Sequence, residues 1–314
     1  TDLCPVGKPW GEQGREQKRM IELKAGAARL GLLPELGGAV TFWKSGGVCV
    51  LEAVSDPNLL AQKGHTVAAY PLVPFSNRVA DGHFRFDGAE YRMKPNFGGE
   101  PHVIHGNAWE HPWELELLAD DSATLQLEWH PPYDRPMDEW PFAYRAQTRF
   151  DLREDSLAVG MVIENIDQRP QPVGLGFHPY FPRRGGVKVG FSADTVWTND
   201  ERHLPALRVP ATGEWSFEHM RAVTDQAIDN CYAGWDGAAF LRWPDDGLAL
   251  TISASPTFRH LVLFTPPDRN FIAIEPVSNM NDALNHAGVT DRGITILAPG
   301  ARLEGHIHFA LTAC

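Results

Sequence analysis

No stretch of the 314 residues approaches the roughly 18 consecutive uncharged apolar residues of a membrane-spanning helix, so no membrane partner is expected. Cationic side chains are in deficit, 28 Lys and Arg against 40 Asp and Glu, for a formal charge of −12. Phosphate-backbone binding draws on clustered Lys and Arg, so nucleic acid is not an expected partner either. Cysteine is scarce. Cys4, Cys49, Cys231 and Cys314 form no CxxC pair, which leaves no structural zinc spacing, and free thiols in a reducing compartment are the expected state. The opening Thr1–Lys18 carries no apolar run like a secretory signal's, although removal of a signal before this numbering stays open. Together these two features give a cytoplasmic expectation. Long helical stretches are also missing, because 29 Gly and 25 Pro are scattered throughout.

What is present alternates. Leu125, Leu127 and Trp129 share one side of a period-two run. So do Leu157, Val159, Met161 and Ile163, then Leu248, Leu250 and Ile252, and then Ile307, Phe309 and Leu311. Such runs mark half-buried strands. Asp87-Gly88 is a two-residue hairpin signal between His83–Phe86 and Ala89–Met93. Asp245-Asp246-Gly247 and Glu154-Asp155-Ser156 divide further strand pairs. Only Ser216–Arg221 and Asn279–Asn285 read as one or two helical turns. No βαβ rhythm appears, so the expected fold is all-β: one antiparallel sandwich over 19–314, preceded by a polar arm at 1–18.

Common catalytic signatures are absent: no GxSxG elbow, Walker loop or HExxH. Gly174-Leu175-Gly176 starts like a dinucleotide fingerprint, but its sixth position is Pro179 and no helix follows. His102/His105 and His306/His308 are possible metal pairs that no nearby Cys or carboxylate completes. Arg183-Arg184 could meet a phosphate, although strand neighbours point to opposite faces.

Four segments are more specific. Ala69–Val79 runs through Tyr70 into Ser76-Asn77-Arg78, a donor and acceptor set suited to vicinal hydroxyls. In His105-Gly106-Asn107-Ala108-Trp109, the Gly beside the His would let a ligand approach the backbone closely. In Gly174–Phe181, Gly174, Gly176, His178 and Tyr180 share a face if the run is extended, with space above the glycines, while Leu175, Phe177 and Phe181 take the core side. In Phe271–Val277, Glu275 ends an apolar strand, where burial would raise its pKa into the range of a useful base. Against each stands a plain alternative: a surface ion-pair Arg, a loop His satisfied by a carbonyl, a core strand with one satisfied His, and a strand-end Glu in water.

Taken together, PLVPFSNRVADGHF at 71–84, HGNAW at 105–109, GLGFHPYF at 174–181 and IAIEPVSN at 272–279 resemble the aldose 1-epimerase (galactose mutarotase) family. Ile228-Asp229-Asn230-Cys231-Tyr232 is a fifth, weaker match. The resemblance implies a large antiparallel β-sandwich, the galactose mutarotase-like supersandwich, with few short helices. It implies cofactor-free interconversion of the α and β anomers of an aldose, and no metal. His178 matches the family's general acid and Glu275 its general base. Arg78 and His105 match residues that grip the sugar, Asn77 stands beside that Arg, and Asp229 matches a carboxylate that binds sugar hydroxyls. The family often has a Gln on the strand before the Glu; Ser255–His260 here has none, which bears on sugar preference. A small-molecule sugar is the expected partner, and a monomer or loose homodimer both fit. Three other readings stay open: a mutarotase for a phosphorylated or other anionic sugar (Arg183, Arg184, Arg259), a non-catalytic carbohydrate-binding module, and a glycoside hydrolase using Glu275 with Asp229.

Overall fold

Period-two patterning decides which way each strand faces. In the computed structural model, which describes residues 20–54, 66–133, 138–184, 186–223 and 227–313, the expected strands form where the alternation places them. Ser156–Asn165 and Arg302–Ala313 pair antiparallel through Val159↔Ile307, and Leu157, Val159, Met161, Ile163, Ile307 and Phe309 are all buried. The residues between them face outward, with Ala158, Gly160, Val162 and Glu164 half-buried and Glu304, His306 and His308 exposed, as expected of a sheet with one wet side.

Among the described residues, two large sheets dominate. The first, of 11 strands, runs in space as Ile21–Ala25, Ala28–Leu33, Ala39–Ser45, Ala69–Leu72, Gly176–Pro182, Phe271–Val277, His260–Phe264, Asp229–Ala233, Thr195–Asn199 and Pro205–Pro210, with Val48–Leu51 beside Ala39–Ser45. The second, of nine, runs Glu114–Leu118, Ser122–Trp129, Tyr144–Leu152, Ser156–Asn165, Arg302–Ala313, Leu248–Ala254, Ala238–Trp243, Lys188–Phe191 and Arg221–Ala222. Every pairing within strands is antiparallel. The inner faces meet around Phe309, whose ring lies 6.3 Å from Trp43, 6.2 Å from Phe177 and 6.3 Å from Phe181. Aromatic rings at such offsets fill the layer between sheets and add to plain area burial. Phe177 and Phe181 pin their strand from below, so His178 and Tyr180 must project from the opposite, outer face.

The hairpin forms as expected: Asp87 (φ 48°) and Gly88 (φ 76°) close Phe86↔Ala89, although the second strand ends at Arg92. Helix is limited, among the described residues, to single 3-10 turns. Ser216–Arg221 holds none, because Ser216 closes the preceding turn Gly213–Trp215 and Arg221 pairs with Val189. Asn279–Asn285 keeps one turn, Ala283–Asn285, because the Asn279 side chain is spent on the Ser76 backbone. The polar arm lies outside the described residues. No described helix is long and apolar enough to cross a membrane. Cys231 is a free, buried thiol, but Cys49 is disulfide-bonded, so the expectation of free thiols fails there; spacing along a chain does not say which sulfurs a fold brings together. Cys4 and Cys314 lie outside the described residues.

Candidate active site

One row of side chains crosses the outer face of the first sheet. Tyr70 pairs with His178. Glu275 stands across from His178, between the pairs Gly176↔Val277 and Tyr180↔Ala273. Beyond it the register continues through Val262, Cys231 and Trp197. Cross-strand neighbours on one face are close enough to touch. His178 Nε2 lies 3.2 Å from Glu275 Oε1, and the side chains are only 7% and 3% exposed. Tyr70 stacks on the imidazole at 5.0 Å between ring centroids, Tyr180 lies at 4.5 Å, and His105 stands edge-on at 5.4 Å.

Loops bring the remaining groups over this row. The short pair Arg78–Val79 and Val103–Ile104 ties the SNR loop to the HGN loop. The Asn77 N–H donates to His105 Nδ1 at 3.0 Å, and His105 N–H returns a bond to Asn77 O. That fixes the His105 tautomer with its proton on Nε2. Arg78 is held between two carboxylates, Glu100 Oε1 at 3.0 Å and Asp229 Oδ2 at 3.5 Å. Five residues here adopt left-handed backbone without being glycine: Asn77 (60°), Asp81 (53°), His105 (64°), His203 (60°) and Asp282 (53°). They are linked. Asp81 N–H meets His102, Asp282 accepts from Ala80 N–H, and His203 lies 4.0 Å from Asp229. Such conformations cost energy and cluster where a surrounding network overrides them.

Burial sets the protonation of the central pair. It drives His178 down to about 3. It raises Glu275 well above the carboxylate range; the Asp229 charge adds to the rise and Arg78 opposes it. Desolvation penalises the charged form of each. Both shifts favour the neutral forms, an unprotonated imidazole beside a protonated carboxyl. Burial also pushes His105 well down, with His178 and Arg78 adding to the effect. For Arg78, burial alone would lower the pKa, but Asp229 and Glu100 outweigh it and keep it raised. One atom each from His105, His178 and Glu275 lies within 4.8 Å of the others, a spacing that would also admit a cation.

Residues 19–310 match the family described as aldose 1-epimerase. The chain belongs to the aldose 1-epimerase family. A curated relative, the uncharacterized protein YphB of Escherichia coli K12, is 27% identical over 292 residues, 88% of this chain and 93% of its own. A solved structure from Escherichia coli K12, described provisionally as an aldose 1-epimerase, superposes with a TM-score of 0.82 at 25% identity, covering 94% of this chain and 99% of that one. A galactose mutarotase-like protein from Clostridium acetobutylicum has the same TM-score at 18% identity, with 94% and 95% coverage, and so shares the fold. Family and fold support a mutarotase-like activity in carbohydrate metabolism.

In this epimerase-family chain, His178, Glu275, His105, Asn77, Arg78 and Asp229 all converge on one region. Two expectations about glycine need correction. A Cβ on Gly174 would strike Asn279 Oδ1 at 2.1 Å, and one on Gly176 would meet Val277 at 2.9 Å and Leu72 at 3.0 Å. The space above these glycines is filled by protein. Likewise a Cβ on Gly106 (φ 68°) would strike Val73 O at 2.1 Å, so that glycine admits the adjoining main chain of Val73 rather than a ligand. His102 is committed to Asp81 N–H and Arg202 O, and His306 and His308 lie on the exposed face of the second sheet. Sequence reading missed Glu100, which sits in a featureless Gly-Gly-Glu-Pro loop. It quoted Tyr70 without a role; pairing across strands, the signal that would have found it, needs the register. It also missed Asn96, whose amide clamps Ile104 and Gly106 on either side of His105 and donates to Glu110.

Proposed function

We propose that the chain exchanges the α and β anomers of an uncharged aldose, with His178 as acid and Glu275 as base. The observation that carries this reading is the 3.2 Å contact between the two groups in a buried setting. Ring opening protonates the ring oxygen and deprotonates the C1 hydroxyl. Both oxygens are bonded to one carbon, so acid and base must stand side by side. A glycoside hydrolase instead separates its carboxyl groups by about 5–10 Å, and a binding module needs no such pair.

The proton count closes. Transfer of the shared proton from Glu275 to His178 gives an imidazolium beside a carboxylate without exchange with solvent. His178 then gives its proton to the ring oxygen while Glu275 takes the C1 hydroxyl proton. The C1–ring oxygen bond breaks and a C1 carbonyl forms. Rotation about C1–C2 and closure on the other face return both protons. Arg78, Asn77, Asp229 and His105 hold the sugar hydroxyls; His105, with its proton on Nε2, also faces the oxygen where charge develops.

Charge favours an uncharged sugar over a phosphorylated one. Arg78 already faces Glu100 and Asp229. Arg183 bonds Pro266 O and Val223 O, Arg184 bonds Asp246 and Cys49 O, and exposed Arg259 lines a separate pocket with Asp194 and Asp291. The deciding test is polarimetry on freshly dissolved α-D-glucose and α-D-galactose, then on a hexose 6-phosphate. The expected result is faster approach to an unchanged final rotation, with the free hexoses preferred. No acceleration by folded protein overturns the reading; preference for the phosphate replaces it with the anionic-sugar alternative.

A further inference from the structure

Two asparagines, two residues apart, are used in opposite ways. Asn279 is fully spent. Its Oδ1 accepts the Ser76 N–H, and its Nδ2 donates to Ser76 O and Met280 O. Asn281 is just as buried, 1% exposed, yet neither its Nδ2 nor its Oδ1 has a hydrogen-bond partner among the described residues. An unmade hydrogen bond at a buried amide is a standing cost, and a native chain keeps one where something other than stability is gained.

The main chain fixes where that amide stands. The Asn281 main chain lies beside Cys231, whose thiol senses the Asn281 N–H, and the next residue, Asp282, donates its N–H to Arg78 O at 2.8 Å. Cys231 shares a strand face with Asp229, two residues away, and lies two places along the cross-sheet row from Glu275. Burial pushes the Cys231 thiol up to about 12, with Glu275 and Asp229 both adding to the rise, so both carboxylates lie within electrostatic reach of it. Met280 anchors the segment in the apolar cluster with Cys231, Val262 and Val277. The Asn281–Asp282 turn thus rests against the Arg78 main chain and beside Cys231, over the sheet face whose row carries Glu275 and whose neighbouring strand position is Asp229.

We propose that Asn281 is a sugar-binding residue whose amide meets one ring hydroxyl of the aldose in the span between Glu275 and Asp229. A primary amide offers one acceptor and two donors, the complement of a hydroxyl that both gives and receives. This rests on the mutarotase reading. It adds an amide with both donors and its acceptor free, whereas the Asn77 Oδ1 is already engaged by Arg78.

The test compares Asn281→Leu and Asn281→Ser with Asn279→Leu and the parent. Thermal unfolding is read with and without sugar, and mutarotation by polarimetry. Asn281→Leu is expected to keep or raise the sugar-free melting temperature, because it removes unpaired polar atoms, while kcat/KM falls about tenfold or more, mainly through KM. Asn281→Ser, with a hydroxyl in place of the amide, is expected to fall less. Asn279→Leu is expected to lower the melting temperature. If Asn281→Leu does not fold, the same reading is made on Asn281→Ser, whose unchanged kinetics would overturn the proposal. Wild-type acceleration with unchanged kinetics in Asn281→Leu overturns the Asn281 assignment and leaves the mutarotase reading standing. If the parent itself does not accelerate mutarotation, that reading fails, and the assignment is judged on the sugar-induced melting shift. Loss of that shift in Asn281→Leu supports it; equal shifts, or none in the parent, overturn it.

Discussion

His178 and His306 both project from the outer face of a large sheet, yet His178 is 5% exposed and His306 stands in water. Their strands differ to match. Gly176–Pro182 and Phe271–Val277 are buried at every position, whereas Arg302–Ala313 alternates between exposed and buried along most of its length. What differs is the cover. The segments around 73–78, 104–110 and 278–283 lie over the first sheet and bury the polar side chains on its outer side. The second sheet meets solvent directly. An imidazole gains chemical use from the first setting because desolvation moves its pKa and a carboxyl is held against it; the second setting offers neither.

The sharpest way to break that contrast is to make one substitution on both faces. Glu275→Gln and His178→Asn should each lose at least about two decades in turnover with the fold retained, while His306→Asn keeps parental turnover. Polarimetry with circular dichroism on the three variants reads this out; near-normal turnover in either of the first two removes that residue from the mechanism. A second contrast sets inner against outer face on one strand. Phe177→Ala, which opens the layer under His178, should cost about 3–5 kcal/mol in chemical denaturation. A third concerns pH. Below about 3 His178 takes a second proton and no base remains. At high pH the pair loses its single proton and no acid remains; the raised Glu275 places that limb above the ordinary carboxylate range. The turnover profile should be a broad plateau with these two limbs, and a narrow peak at pH 4–5 would contradict a shared proton.

The smallest effect lies behind the His105 loop. Burial raises Glu110 to about 7, although the Asn96 amide bonds its carboxylate. A carboxyl raised on folding favours the folded state at low pH and loses that contribution as pH climbs through the folded value. Glu110→Gln should therefore raise the melting temperature at pH 8 relative to the parent, with the gain fading at pH 5.

The second sheet was the more legible of the two in the sequence. Alternation named Leu157, Val159, Met161, Ile163, Ile307 and Phe309 correctly because water on one face writes itself into the pattern. In the first sheet both faces are covered, so the pattern is continuous and motifs had to serve instead. Those motifs marked His178 and Glu275 but misassigned the glycines, because what fills the space above Gly176 comes from residues about a hundred positions away in either direction. Glu100 and Asn281 left no trace in spacing or composition. Their significance lies in which neighbours they have, or lack, once loops distant in sequence meet.

The left-handed residues around the site bear on how this sequence can drift. Asn77, Asp81, His105, His203 and Asp282 occupy backbone that β-branched side chains adopt only with strain. At these five positions the permitted alphabet is short, Gly, Asn, Asp or His, whatever sugar a descendant handles. Specificity is then free to change through side chains on ordinary backbone, while the backbone frame stays fixed. New preferences would be written in side chains, and the turns would be inherited.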